Sequence, residues 1–148
     1  MYQKILVAVD GSVTSSLALQ EAIKLAKQLD ARLELVHVYE DAVYLVDENY
    51  FNYEELLKTI HIRGEKILTC AEAMVRAAGI PVETKLIPSN NERVAGILEA
   101  EAERWQAELI VIGTHGHSGF SRLLLGSVAE GVARIASVPV LLIRGPKE

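Results

Sequence analysis

A chain of 148 residues, half of them hydrophobic and 24% charged, is long enough to bury a substantial core in about one domain. Its net charge of −5 argues against a broad electrostatic attraction to nucleic acid or an anionic membrane, although backbone N–H groups can still hold a small phosphate. The single cysteine, Cys70, rules out an internal disulfide and a cysteine zinc cluster.

The opening stretch MYQKILVAVDGS carries one lysine and then five apolar residues before Asp10, too few for a signal-peptide core. No run approaches the roughly 18 apolar residues of a spanning helix, so the expectation is a soluble, cytoplasmic protein without membrane insertion. Ile5–Val9 reads as the first strand, and Leu19, Ile23 and Ala26 mark one face of the helix that follows. Leu33–Tyr39 is the second strand. Asp41–Tyr53, acidic, aromatic and weakly patterned, reads as a surface loop of unassigned role. Helical spacing resumes over Glu54–Ala78, where Leu56, Ile60, Gly64, Ile67, Ala71 and Met74 or Val75 mark the inner face. Cys70 has the spacing of an inert core residue. Gly79 stands where a left-handed C-cap is expected, and Pro81 prevents continuation.

Val82–Ile87 is the third strand. The Ser89-Asn90-Asn91 cluster is expected to cap a third helix marked by Val94, Ile97, Leu98 and Trp105. Leu109–Ile112 is the fourth strand. Val128, Val132 and Ile135 mark a fourth helix, and Val138–Ile143 is the last strand. Short, near-continuous apolar strands alternating with helices imply an α/β fold with a parallel sheet buried on both faces.

Between the fourth strand and fourth helix lies GTHGHSGFSRLLLGS, with four glycines and three serines in fifteen residues. In open parallel sheets, ligands sit beyond the carboxyl ends of strands where the strand order reverses. Ala8-Val9-Asp10 and Ile112-Gly113 are two such ends. Ser127 and Glu130 have capping-box spacing, which makes Ser127 the expected N-cap. Gly126 then permits close approach of a ligand, and the N–H groups of Val128 and Ala129 point out of the helix end as an anion site. The same glycines also suit a plain tight turn. Asp10 has two readings: a turn residue holding the N–H groups of Gly11–Val13, or an acceptor for ribose, adenine or phosphate-bound Mg²⁺. His115 and His117 lack a nearby third metal ligand and suit a phosphate channel better. Arg122 is either a phosphate contact or a solvated charge. Trp105 reads as packing.

The pattern Gly113-x2-Gly116-x9-Gly126-Ser127, with KILVAVDGS at the start, LELVHVYE, and ELIVIGTHGHSGFSRLLLGSVAEGVARIASVPVLLIR, resembles the ATP-binding branch of the universal stress protein family nearly end to end. The resemblance implies one domain over 1–148. It also implies a Rossmann-like, adenine-nucleotide α-hydrolase-like sheet of order 3-2-1-4-5 with helices on both faces. It implies ATP, ADP or AMP with Mg²⁺ on the phosphates, held by Ala8, Val9, Asp10, Val38, Ile112, Gly113, Gly116, His117, Gly126, Ser127 and Val128. Val38 would offer backbone to adenine, Gly113 would lie against ribose, and Gly116, Gly126, Ser127 and Val128 would surround the phosphates. No catalytic residue and no direct protein metal ligand is implied, Asp10 being the one candidate for the metal side. A homodimer through residues 138–144 is implied as well, and a protein partner has room in a stress-response regulatory role.

Two other classes stay open. Thr114-His115-Gly116-His117 is similar to the (H/T)xGH motif of nucleotidylyltransferases, although here it follows the fourth strand; that reading, or a slow ATPase, makes the chain an enzyme. A nucleotide-free, dimeric interaction protein would use the glycine loop only as a turn. No GxxxxGK[ST] occurs to support P-loop chemistry.

Overall fold

The computed structural model describes residues 2–41, 53–114 and 126–145. Gly116 and His117, with His115, Arg122 and most of the 41–53 segment, lie outside the described residues. Nine elements alternate among the described residues: β1 Lys4–Ala8, α1 Val13–Leu29, β2 Arg32–Tyr39, α2 Tyr53–Ala77, β3 Val82–Pro88, α3 Val94–Trp105, β4 Leu109–Gly113, α4 Ser127–Ile135 and β5 Val140–Ile143. All strand pairs are parallel, in the order β3-β2-β1-β4-β5.

Period-two alternation divides each central strand between two cores. Ile5, Val7, Leu33, Leu35, Leu109 and Val111 pack under Leu19, Ala22 and Ala26 of α1 and Leu68 and Val75 of α2. Their neighbours Leu6, Val36, Ile110 and Ile112 face the other way, against Leu98, Ala102 and Trp105 of α3 and Ala129 and Val132 of α4. Burial on both faces is therefore a property of the inner strands. β3 and β5, at the two edges, leave Glu83, Thr84, Lys85 and Leu141 exposed.

Element ends and helix faces follow local chemistry only in part. Gly79, at φ 77°, occupies the left-handed position after α2. The Ser89-Asn90-Asn91 cluster does not cap α3, whose N-cap is Arg93 with no side-chain cap bond. Those residues form a separate turn: Ser89 carbonyl accepts from the Glu92 N–H, and Asp41 Oδ1 accepts from both the Ser89 hydroxyl and the Asn90 N–H. On α2 the buried stripe is Gly64, Leu68, Ala71 and Val75, which leaves Met74 and Cys70 exposed. Cys70 is a surface thiol, one position off the stripe. The last strand begins two residues later than the pattern implied: Pro139, with no N–H to donate, contributes only its carbonyl, which accepts from Ile110 N–H where the β4–β5 ladder opens.

Candidate functional site

Where the parallel strands end, the chain turns outward and a cavity of about 650 Å³ opens, within the roughly 300–1,000 Å³ of ordinary ligand pockets. Its floor is built by Ala8, Val9 and Asp10 after β1, by Val36–Glu40 at the end of β2, and by Ile112 and Gly113 of β4. One wall comes from α2, with Ile60, Arg63 and Ile67. The other comes from Val94 and Leu98 of α3 and Gly126–Ala129 of α4. All nine expected site residues within the described segments therefore meet at this one cavity. His37, Tyr39, Arg63, Ile67 and Leu98 join them, although no local motif marks them for the site.

The N-termini of α1 and α4, both at the cavity, are finished differently. At α1, Ser12 is the N-cap: its hydroxyl accepts from Ser15 N–H at 3.1 Å. The Ser15 hydroxyl accepts from Asp10 N–H at 3.0 Å, and Asp10 Oδ1 accepts from Ser12 N–H at 2.9 Å. Asp10 is thus a turn residue on its backbone side. The α4 end has no such closure. Its N-cap is Gly126 with no side-chain cap bond, and the first intrahelical bond runs from Glu130 N–H to the Gly126 carbonyl at 2.9 Å. The expected capping box is absent: Ser127 is the first helical residue, and the Glu130 carboxylate turns to solvent to pair with Arg134 at 3.0 Å. A glycine at the cap brings no side-chain acceptor. The Ser127, Val128 and Ala129 N–H groups are left facing a cavity with the positive end of the helix dipole behind them. Gly126 has φ −65° and ψ 155°, which any residue adopts, so backbone conformation does not demand glycine there.

Gly113 is different. A Cβ at this position would lie 2.7 Å from Thr14 Cγ2 and 3.0 Å from the Thr14 carbonyl oxygen. Glycine is required for α1 to sit against the end of β4, whatever the cavity holds. Gly113→Ala is accordingly expected to lower stability by about 1–3 kcal/mol through overpacking against backbone that cannot swing aside; an unchanged midpoint in urea unfolding would sink this account.

At the β2 side, His37 is buried and its Nδ1 lies 2.8 Å from the Val9 carbonyl, which can only accept, so Nδ1 carries the proton. Tyr39 stacks edge-on to His61 of α2 at 5.5 Å, and its hydroxyl lies 3.2 Å from His61 Nδ1. Burial, and secondarily the Asp41 carboxylate, push the Tyr39 phenol above its ordinary range, so it stays neutral. Among the described residues, no three His, Cys, Asp or Glu side chains converge as a metal-ligand set. Among the described residues, the carboxylates on the cavity wall are Asp10 and Glu40.

The family model described as Universal stress protein family matches residues 1–144. The chain belongs to the universal stress protein family. Universal stress protein MJ0531 of Methanocaldococcus jannaschii is 33% identical over 151 residues, covering 100% of this chain and 85% of the relative. A universal stress protein family structure from Burkholderia pseudomallei superimposes with a TM-score of 0.79 at 36% identity, covering 96% of both chains. A universal stress protein crystallised in complex with cAMP matches with a TM-score of 0.74 at 26% identity, over 98% of this chain and 99% of that one. Among the described residues, no helix is long and apolar enough to cross a membrane.

Proposed function

We propose that this universal stress protein binds an adenine nucleotide in the cavity at the strand ends, as a nucleotide-dependent regulatory module. The observation that carries the reading is the α4 N-terminus, without a side-chain cap from Gly126, opening onto a nucleotide-sized cavity: N–H groups that have no carbonyl partner within the helix and a helix dipole are the means by which backbone holds phosphate. The cAMP complex of a relative supports the same ligand class. In this assignment Ala8, Val9, Ile112 and the backbone of Val38 border the base, Asp10 and Gly113 the ribose, and Gly126, Ser127 and Val128 the phosphates. Gly116 and His117 complete the phosphate side. ATP is the nucleotide favoured, with Mg²⁺ carried on its phosphates and Asp10 the protein carboxylate nearest the metal's role. One domain in a cytoplasmic homodimer completes the reading; the apolar edge strand β5, with Leu141 exposed, suits pairing with a twofold mate. Regulation follows if nucleotide binds one arrangement of the chain better than another.

Mass spectrometry of small molecules released from denatured protein, then calorimetric titration with ATP, ADP and AMP with and without Mg²⁺, tests the proposal. Gly126→Val puts a branched side chain where phosphate must approach the helix N-terminus. It is expected to weaken binding at least about tenfold, the loss of one or more charge-assisted hydrogen bonds. Parent-like affinity in Gly126→Val would remove the α4 end from the site. No released nucleotide and no heat with any of the three would remove the nucleotide function.

A further inference from the structure

On α2, residues 60, 63 and 67 follow i, i+3, i+7 spacing and form the stripe that the helix turns toward the cavity. Two of them are isoleucine; the third is Arg63. Gly64, immediately beside it, is where α2 presses on the sheet: a Cβ there would meet Leu86 Cδ1 at 2.8 Å and His37 Cδ2 at 3.0 Å. Farther down, the Ile67 side chain covers Gly11, with Cδ1 3.2 Å from where a Gly11 Cβ would stand. Because a helix of a βαβ unit runs antiparallel to its strands, Arg63, four residues before Ile67, stands about 6 Å farther out than the Gly11 turn. It overhangs the cavity floor.

Arg63 also lacks the partner that other helical arginines have. Arg76, Arg104 and Arg134 each bond a glutamate three or four residues back, at Glu72, Glu101 and Glu130. The positions three and four away from Arg63 are Thr59, Ile60, Lys66 and Ile67, none of them acidic. It forms no ion pair with any described residue. The Asp10 carboxylate accepts from Ser12 N–H. Of the charged side chains on the cavity wall, Asp10, Glu40 and Arg63, the arginine is the one cation among the described residues. α2 and α4 lie on opposite faces of the sheet, so Arg63 stands across the cavity from the first-turn N–H groups of Ser127, Val128 and Ala129.

We propose that Arg63 is a second phosphate contact of this cavity, which grips the phosphate chain from the α2 side and makes the site select for the number of phosphates. The inference rests on the nucleotide reading above. A single phosphate is already served by the α4 end. A guanidinium on the opposing wall gains most when the ligand carries charge that extends back across the cleft, so affinity rises from AMP to ADP to ATP. Its planar fork of donors suits two phosphate oxygens at once, which a lysine ammonium does not reproduce.

The test is calorimetric titration of the full chain with adenosine, AMP and ATP, for the parent, Arg63→Gln and Arg63→Lys. Arg63 is exposed on the helix, so both variants are expected to fold, and circular dichroism melts check that they do. Arg63→Gln is expected to weaken ATP by about tenfold, between the effect of an exposed ion pair and that of a buried charged hydrogen bond. AMP weakens less, and adenosine stays within about twofold because it has no charge to lose. Arg63→Lys keeps the charge and recovers part of the ATP affinity. Unchanged ATP affinity in Arg63→Gln, or an equal loss for adenosine and ATP, overturns the proposal; the second outcome would put the guanidinium on the base. A parent that binds none of the three overturns the nucleotide reading itself, before any variant is measured.

Discussion

Replacing Glu34 by glutamine will flatten the pH dependence of stability between about pH 5 and pH 8 and make the protein more stable than the parent at the alkaline end. Glu34 sits in the middle of β2, only 2% exposed, beside Leu6 of β1 and Glu83 of β3. Above it lie Glu101 and Arg104 of α3. Arg104 bonds both Glu101 oxygens, with Nε 2.8 Å from Oε1, and reaches Glu34 Oε2 at 3.4 Å. Glu83 is occupied by the Trp105 indole N–H at 2.8 Å, and Lys85 adds positive charge near Glu101. The remaining oxygen of Glu34, Oε1, is buried with no donor facing it. An orphaned carboxylate oxygen in that position is costly; a carboxylic acid there becomes a donor, and the Glu101 carboxylate is the acceptor beside it. Burial first, then the hydrogen bond and charge of Glu101, push Glu34 up to about 8, against the pull of Arg104. Glu101 goes the other way: burial alone would raise it, but bonds from Arg104 and Glu34 hold it below the usual range.

The folded pair therefore keeps one proton at neutral pH that the unfolded chain has released. A raised carboxyl contributes stability that is full at acid pH and is lost as pH climbs from the ordinary glutamate value toward about 8. One proton's difference is worth about 1.4 kcal/mol per pH unit across that window. The lowered partner contributes the opposite limb, losing its stabilisation as pH falls below the usual carboxylate range. Together they put the pair's best pH near the ordinary glutamate value, with stability falling as pH rises from there toward about 8. The amide of Glu34→Gln keeps an N–H donor for Glu101 and cannot ionise, so only the alkaline limb disappears. Urea unfolding of parent and variant from pH 4 to pH 9 reads this directly, and parallel curves from pH 5 to pH 8 would show that no proton is shared.

Glu34 also marks where reading the chain stops. The strand Leu33–Tyr39 was legible as a strand because it is short and mostly apolar, with Glu34 and His37 the exceptions, and the whole order of elements followed from the same contrast with the helical stretches. Nothing in that stretch says that one glutamate would face a glutamate and an arginine about seventy residues away; that meeting depends on α3 crossing β2. The cavity was legible in part for a similar reason. Strand ends and the Gly126-Ser127 turn are local signals, so Ala8, Val9, Asp10, Val38, Ile112, Gly113 and Val128 could be named from them and from family resemblance. Arg63, Ile67 and Leu98 come from helices packed onto the strand ends, and only the packing brings them there. Arg63 did leave a trace, a cation in an isoleucine stripe with no acid one turn away. Caps were the least legible detail. Ser127 and Ser89–Asn91 have the right side chains for caps, yet Gly126 and Arg93 take those positions, because where a helix starts is set by the path of the chain into it.

The boundary between core and site is tested by two leucines of the same cluster. Leu6 is fully buried in β1 and does not touch the cavity; Leu98, 1% exposed on α3, belongs to that core and also forms part of the cavity wall. Truncating either to alanine removes the same atoms, and the expected loss for such a change is about 2–5 kcal/mol. What separates them is the void left behind. At Leu6, fully buried and off the cavity wall, it lies inside the core, so its walls are left with no atoms to pack against and the cost belongs in the upper part of that range. At Leu98 the void joins an existing cavity, the wall can relax into it, and the cost belongs in the lower part. Ligand binding reverses the order. Leu6→Ala should keep the parent's nucleotide affinity once folded, because the cavity lining is untouched. Leu98→Ala should weaken adenosine and ATP alike, because the base then has less apolar surface to rest on, and leave the ratio between them unchanged. Urea unfolding and calorimetry on the two variants decide the matter: a larger stability loss at Leu98 than at Leu6 would overturn the account of the two voids, and an ATP loss at Leu98 without one for adenosine would mean that α3 borders the phosphates and that the base lies elsewhere in the cavity.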